Sequence, residues 1–128
     1  MNVQIIDNQS TMLTRGGQNT DSQQVIAVVA LNYVLIQKYV NLKNPSLKSS
    51  PVYRKALAES VYILDKYIHV PKDIVRNTFN LTNKRWSDMM ANVQFQCDHF
   101  CWFNDKIFEY AEAISLLTVN HQAKSNEN

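Results

Sequence analysis

Residues 72–128 read KDIVRNTFNLTNKRWSDMMANVQFQCDHFCWFNDKIFEYAEAISLLTVNHQAKSNEN, a stretch that contains neither glycine nor proline. These two residues interrupt regular structure most often, and the tight turns of a sheet protein often need glycine at positive φ. Helices need far fewer such turns. The stretch therefore predicts an all-α fold.

The residues before this stretch also favour helices. Good capping residues precede an apolar pattern that predicts a first helix from about Ser22 to Leu42. Proline is favoured in the first turn of a helix, so the two later prolines predict helices Pro51–Ile68 and Pro71–Phe79. A cap at Thr82 or Asn83 predicts a fourth helix.

We expect one domain, because a chain of 128 residues can bury a core of its own. The prediction is a compact bundle of four to five helices over residues 21–119. Residues 1–20 are predicted to form a flexible N-terminal arm, and residues 120–128 a short disordered tail. Asn104 and Asp105 are both capping residues, so they mark a potential joint in the last long helix.

The charges are unevenly distributed along the chain. The net charge is +2, but the segment from Lys38 to Arg85 carries +7 and the segment from Trp86 onward carries −4. A basic middle and an acidic end indicate a polyanionic partner for the middle, or association between copies of the chain.

Neither secretion nor membrane insertion is expected. Residues 1–7 lack a basic region, and the longest apolar stretch, residues 25–36, is shorter than the roughly 20 residues that span a bilayer. Two cysteines make a poor disulfide framework. The sequence therefore predicts an intracellular, cytoplasmic protein.

The segment Lys72–Ala91 combines a short helix, a three-residue turn and a second helix. Its packing positions are all apolar: Val75, Phe79, Leu81, Trp86 and Met89. This segment resembles the helix-turn-helix of DNA-binding proteins. Asn80 occupies the turn position that favours glycine, and asparagine tolerates left-handed φ better than most residues. Arg76 departs from the pattern, because the family prefers a small residue there.

The resemblance implies that the second helix enters the major groove with its first residues toward the bases. The residues presented to DNA would then be Thr82, Asn83, Lys84, Arg85 and Ser87. Phosphate contacts would come from Lys72, Arg76, Arg54, Lys55 and Lys66. Asp88 lies on the same face and would repel phosphate. The alternative is a pair of ordinary packed helices with a solvated basic surface.

A second pattern predicts self-association. From Trp86 to Ile114, mostly apolar residues alternate in steps of four and three, which is the spacing of a heptad seam. The predicted interface residues are Met90, Val93, Phe100, Asn104 and Ile107. A continuous helix could use this seam between two chains, whereas a broken one would pack on the core of its own domain.

Neither a metal site nor an active site assembles from the sequence. In the pattern Cys97-x-His99-x-Cys101, the histidine of a continuous helix would point away from both cysteines, so we interpret the cysteines as core residues. Phosphate-binding glycine loops, HExxH motifs and nucleophile elbows are all lacking. We therefore expect no enzyme activity, no metal or other cofactor, and no small-molecule substrate.

The function hypothesis is non-catalytic DNA binding of the helix-turn-helix type. A small phage- or plasmid-type regulator fits the 14 asparagines and 9 glutamines, a bias common in AT-rich genomes. The alternative hypothesis is a helical assembly protein that acts through protein–protein contacts.

Overall fold

The computed structural model describes residues 14–39 and 51–126, and the side chains of residues 21–38 and 51–118. Within these ranges the chain forms five α-helices and no strand, which confirms the all-α prediction. The helices are α1 (Thr14–Tyr39), α2 (Pro51–Ile63), α3 (Lys72–Phe79), α4 (Asn83–His99) and α5 (Cys101–Asn126). A π-helical segment, Leu64–Ile68, continues α2.

Helix α2 is the centre of the bundle. Every residue from Ala56 to Leu64 is buried, and α1, α4 and α5 all contact this helix. A helix that is buried on all sides needs small residues where its neighbours approach, and Ala56, Ala58 and Ser60 fill that role. The Ser60 hydroxyl donates to the Ala56 carbonyl at 2.7 Å, so burial leaves it satisfied.

A hydrogen bond between side chains joins α2 to α4. The Tyr62 hydroxyl donates to Oε1 of Gln94 at 2.8 Å. Burial, followed by the nearby Cys97, raises the pKa of Tyr62 to about 12. Tyr62 therefore stays a neutral donor, and it fixes the rotation of α4 about its own axis.

The chain reverses direction between the π-helical segment and α3. His69 adopts a left-handed conformation with φ of 66°, and the Val70 amide donates to the Leu64 carbonyl at 2.9 Å. Pro71 then provides the N-cap of α3, where a missing N–H costs nothing. This turn places α3 against α1.

The ends of the bundle differ from the prediction. Helix α1 begins at Thr14, so residues 14–20 are helical where an arm is predicted. Gly16 and Gly17 weaken a helix but, unlike proline, keep their N–H groups and do not stop it. Residues 1–13 of the predicted arm lie outside the described residues. Helix α5 continues through residues 120–126, where a disordered tail is predicted.

The joint in the last long helix lies at Phe100, not at Asn104. Phe100 is extended (φ −132°, ψ 108°), and its amide donates to the Gln96 carbonyl at 2.9 Å. The Phe100 carbonyl in turn accepts from the amides of Phe103 and Asn104, both at 3.1 Å. One aromatic residue thus ends α4 and starts α5, and the reversal buries Ile107 against the core.

The central position of α2 predicts a large effect of truncating its core side chains. Ile63 is completely buried, so Ile63→Ala should lower the free energy of unfolding by about 2–5 kcal/mol. Ile36 is 59% exposed, and Ile36→Ala should change it by no more than about 0.5 kcal/mol. Urea denaturation followed by circular dichroism measures both. Equal losses would contradict the arrangement around α2.

Candidate nucleic-acid interface

The turn between α3 and α4 has the predicted geometry. Asn80 is left-handed with φ of 57°, and the Leu81 amide donates to the Arg76 carbonyl at 2.8 Å. The hydroxyl of Thr82, the N-cap of α4, accepts from the Arg85 amide at 3.1 Å. The three-residue turn thus satisfies the backbone at the end of α3 and at the start of α4.

The predicted packing positions of this segment face the bundle. Val75 and Leu81 are buried, whereas Phe79, Trp86 and Met89 are half-buried. Helix α3 packs on α1, and α4 packs on α2 and α5. Both helices of the segment are therefore held in place by the bundle.

One face of the first two turns of α4 is exposed to solvent. Thr82, Asn83, Lys84, Arg85 and Ser87, the residues predicted to face DNA bases, are all exposed. Asp88 is exposed as well, and Lys84 donates to its Oδ2 at 2.8 Å, which raises the pKa of Lys84. The acidic residue on this face is therefore paired with a cation of the same face.

Arg76 and Lys72, both predicted phosphate contacts, interact with neighbouring groups of the same segment. The Arg76 Nε donates to the Leu81 carbonyl at 3.2 Å, and its Nη1 lies 3.8 Å from Oδ1 of Asp73. This folded-back conformation explains how the turn accommodates an arginine where the family prefers a small residue. The Lys72 Nζ lies 4.6 Å from the centroid of the Trp86 ring, a cation–π contact that covers part of the indole.

The other predicted phosphate contacts are exposed. Arg54 and Lys55 lie near the N-terminus of α2, and Lys66 lies in the π-helical segment. Arg54 and Lys55 line a cleft of about 490 Å³, and Asp88 of α4 lines the same cleft. The basic residues at the start of α2 and Asp88 of α4 therefore lie on the same side of the bundle.

The cleft contains an ion cluster that sequence reasoning missed. Glu59 is 4% exposed, and the Lys38 Nζ lies 3.0 Å from its Oε1 and 3.1 Å from its Oε2. The contact to Oε2 is a hydrogen bond, whereas Oε1 receives none from the described residues. The Lys106 Nζ lies 4.0 Å from Oε2. Sequence spacing carries no signal for this cluster, because its members come from α1, α2 and α5.

Lys106 is surrounded by aromatic rings as well as by charges. Its Nζ lies 4.8 Å from the ring centroid of Phe103 and 5.6 Å from that of Trp102. Burial lowers the pKa of Lys106, and the positive charges of Lys38 and Lys55 add to this effect, while Glu59 opposes it. The cluster therefore holds more positive charge than its one buried carboxylate offsets.

The residues of the predicted seam do not form one surface. Val93 and Ile107 are buried in the core of this chain, Met90 is half-buried, and only Phe100 and Asn104 are exposed. The break at Phe100 turns the two halves of the pattern toward each other. Val93 and Ile107 are therefore unavailable to a second chain while this fold is intact.

The cysteine–histidine pattern is also split by this break. Cys97 is buried as predicted, but Cys101 starts α5 and is exposed, which corrects its interpretation as a core residue. His99 is exposed and stacks on Phe95 at 3.9 Å between centroids. Across the described residues, no three His, Cys, Asp or Glu side chains are grouped to hold a metal ion.

Comparisons with protein-family models, curated proteins and solved structures found no match for this chain. None of the described helices has both the length and the apolar character needed to cross a membrane.

The Glu59 cluster predicts that removing the charge of Glu59 alone destabilises the fold more than removing the charges of Glu59 and Lys38 together. Glu59→Gln leaves Lys38 without its counter-charge at a site where the lysine side chain is 14% exposed, so the free energy of unfolding should fall by about 3 kcal/mol or more. The double variant Lys38→Met/Glu59→Gln should recover part of this loss. Chemical denaturation measures both.

Glu109→Gln is the matched control, because Glu109 is an exposed glutamate on α5. Its effect should stay within about 0.5 kcal/mol. Lys38→Met is measured alone as well. If the loss in the double variant equals the sum of the losses in Lys38→Met and Glu59→Gln, then Lys38 and Glu59 are not coupled.

Proposed function

We propose that this chain binds duplex DNA without catalysis, through the segment of α3, turn and α4. The observation that supports the proposal is the exposure of one face of the first two turns of α4, which carries Asn83, Lys84, Arg85 and Ser87. A helix end that is anchored on one face and polar on the other is what insertion into a major groove requires.

The side chains at this end of α4 suit DNA recognition. Asparagine can bond both the acceptor and the donor of adenine in the major groove, and arginine can bond two acceptors of guanine. Asn83 and Arg85 are assigned this role. Lys84 is assigned to phosphate, where it would exchange its bond with Asp88 for a contact with the DNA backbone.

The basic start of α2 supports the same face. Arg54 and Lys55 share the cleft with Asp88 and Met89, and Arg85 precedes Met89 by one helical turn. Cations from two helices therefore border one side of the molecule. DNA phosphates beside a groove that holds the start of α4 would contact the cations of both helices. These contacts would supply affinity that depends on salt concentration.

Substitutions on α4 should change DNA affinity in opposite directions. Lys84→Ala should weaken binding and lower the slope of log affinity against log salt by about 1. Arg85→Ala should weaken binding to a preferred sequence by about 1–3 kcal/mol. Asp88→Asn should instead strengthen binding, because it removes the negative charge from this face. Mobility-shift assays on duplex DNA over a range of salt concentrations measure all three.

Asp88→Asn is the control against a merely structural effect, since a disturbed helix would weaken binding whatever the sign of the charge removed. The wild-type chain should bind mixed-sequence duplex at low salt and micromolar protein. Absence of a shift under those conditions would refute the proposal.

We also infer a second candidate function, self-association through the outer face of α5. Phe108 is 48% exposed and Leu116 is 72% exposed, although both are large and apolar. Together with Tyr67, whose ring lies 6.1 Å from that of Phe108, they line a shallow depression of about 540 Å³. Exposed apolar patches of this kind are common at interfaces.

A substitution on this face should change the oligomeric state. If α5 pairs with a second copy, Leu116→Asp should convert the oligomer to a monomer in light scattering, because a charge would be buried without a partner. Ile36→Asp is the matched control, since Ile36 is an exposed apolar residue on α1. A wild-type chain that is monomeric at high concentration would contradict this candidate.

A further inference from the structure

The cleft between α2, α4 and α5 has the dimensions and charge of a small-molecule site. Its volume of about 490 Å³ falls within the range of about 300–1,000 Å³ typical of ligand pockets. Four cationic side chains line it, from three helices, against the carboxylates of Glu59 and Asp88. The four are Lys38, Arg54, Lys55 and Lys106.

The two carboxylates offset only part of the positive charge of the four cations that line the cleft. Glu59 is bonded to Lys38, and Asp88 is bonded to Lys84 outside the cleft lining. Lys106 lies 4.0 Å from Glu59, beyond hydrogen-bond distance, and its pKa is lowered first by burial. An anion beside Lys55 and Lys106 would supply the missing negative charge.

One wall of the cleft is aromatic. Trp102 lines it with an indole that is 64% exposed, and Phe103, which is 2% exposed, packs beneath Lys106. Met89 and Val93 of α4 add apolar groups to the lining. An accessible indole next to lysines combines a stacking surface with positive charge, which is the chemistry that holds a base and its phosphate.

We propose that this cleft binds a nucleotide, with the base stacked on Trp102 and the phosphate held by Lys55 and Lys106. Glu59 is a positioning residue in this arrangement, because it holds Lys38 and keeps Lys106 near the cleft. The ligand is either a free nucleotide or one unstacked nucleotide of a single strand, since both offer a base next to a phosphate. The cleft borders the exposed start of α4 and includes Asp88, but Asn83, Lys84 and Arg85 do not line it, so nucleotide binding does not depend on their contacts with duplex DNA.

Titration calorimetry on the full chain tests the proposal with four probes: adenosine 5′-monophosphate, adenosine, inorganic phosphate, and a single-stranded deoxyadenosine decamer. The nucleotide should bind more tightly than adenosine or phosphate, because only the nucleotide engages both the indole and the lysines. A decamer that binds tenfold or more tighter than the nucleotide identifies single strands as the source. Equal affinities identify the free nucleotide. Either result supports the proposal.

Substitutions of cleft-lining residues test whether the nucleotide binds in the cleft. Trp102→Leu should weaken nucleotide binding about tenfold or more, because stacking of one base is lost. Phe95→Leu is the matched control, an exposed aromatic residue on α4 outside the cleft lining, and should have no effect. Lys106→Met should weaken the nucleotide and leave adenosine unchanged. Lys55→Met, at an exposed position, gives the same comparison if Lys106→Met does not fold.

Two results would overturn the proposal. One is the absence of binding heat for both the nucleotide and the decamer at millimolar concentration. The other is nucleotide binding that Trp102→Leu and Lys55→Met leave unchanged. Duplex binding that depends on Lys84 and Arg85 would stand in either case, so failure of the two proposals can be told apart.

Discussion

The burial of α2 on all sides is the constraint on which the rest of the structure depends. Since α1, α4 and α5 all contact this helix, each of its residues from Ala56 to Ile63 must fit a neighbour rather than solvent. Small residues allow the close approaches. Glu59 is the exception, a buried charge that is tolerated because Lys38 and Lys106 reach it from two other helices.

The surfaces available for binding follow from this arrangement. Helix α4 packs on the bundle through one face, where Trp86 and Met89 are half-buried and Val93 is buried, so the other residues of its first turns are left exposed. The start of α2 likewise extends past the buried segment and exposes Arg54 and Lys55. Basic residues of both helices are therefore accessible to solvent.

The sequence predicted those features that depend on local residue chemistry. The left-handed Asn80 and the capping Thr82 act within a few residues, so their roles could be recognised without knowing the fold. The break at Phe100 could not, because phenylalanine has no capping side chain and the reversal there is stabilised by the burial of distant residues. The Glu59 cluster could not be predicted either, because its partners are distant in sequence and lie on other helices.

The break between α4 and α5 gives the two cysteines of the chain different reactivities. Cys97 is buried, and burial raises the pKa of its thiol, which lowers the fraction of reactive thiolate. Cys101 is exposed and directly precedes Trp102, which lines the cleft. The natural chain therefore offers a selective attachment point for a thiol-directed spin or fluorescent label, located where two helices meet, without any engineered cysteine.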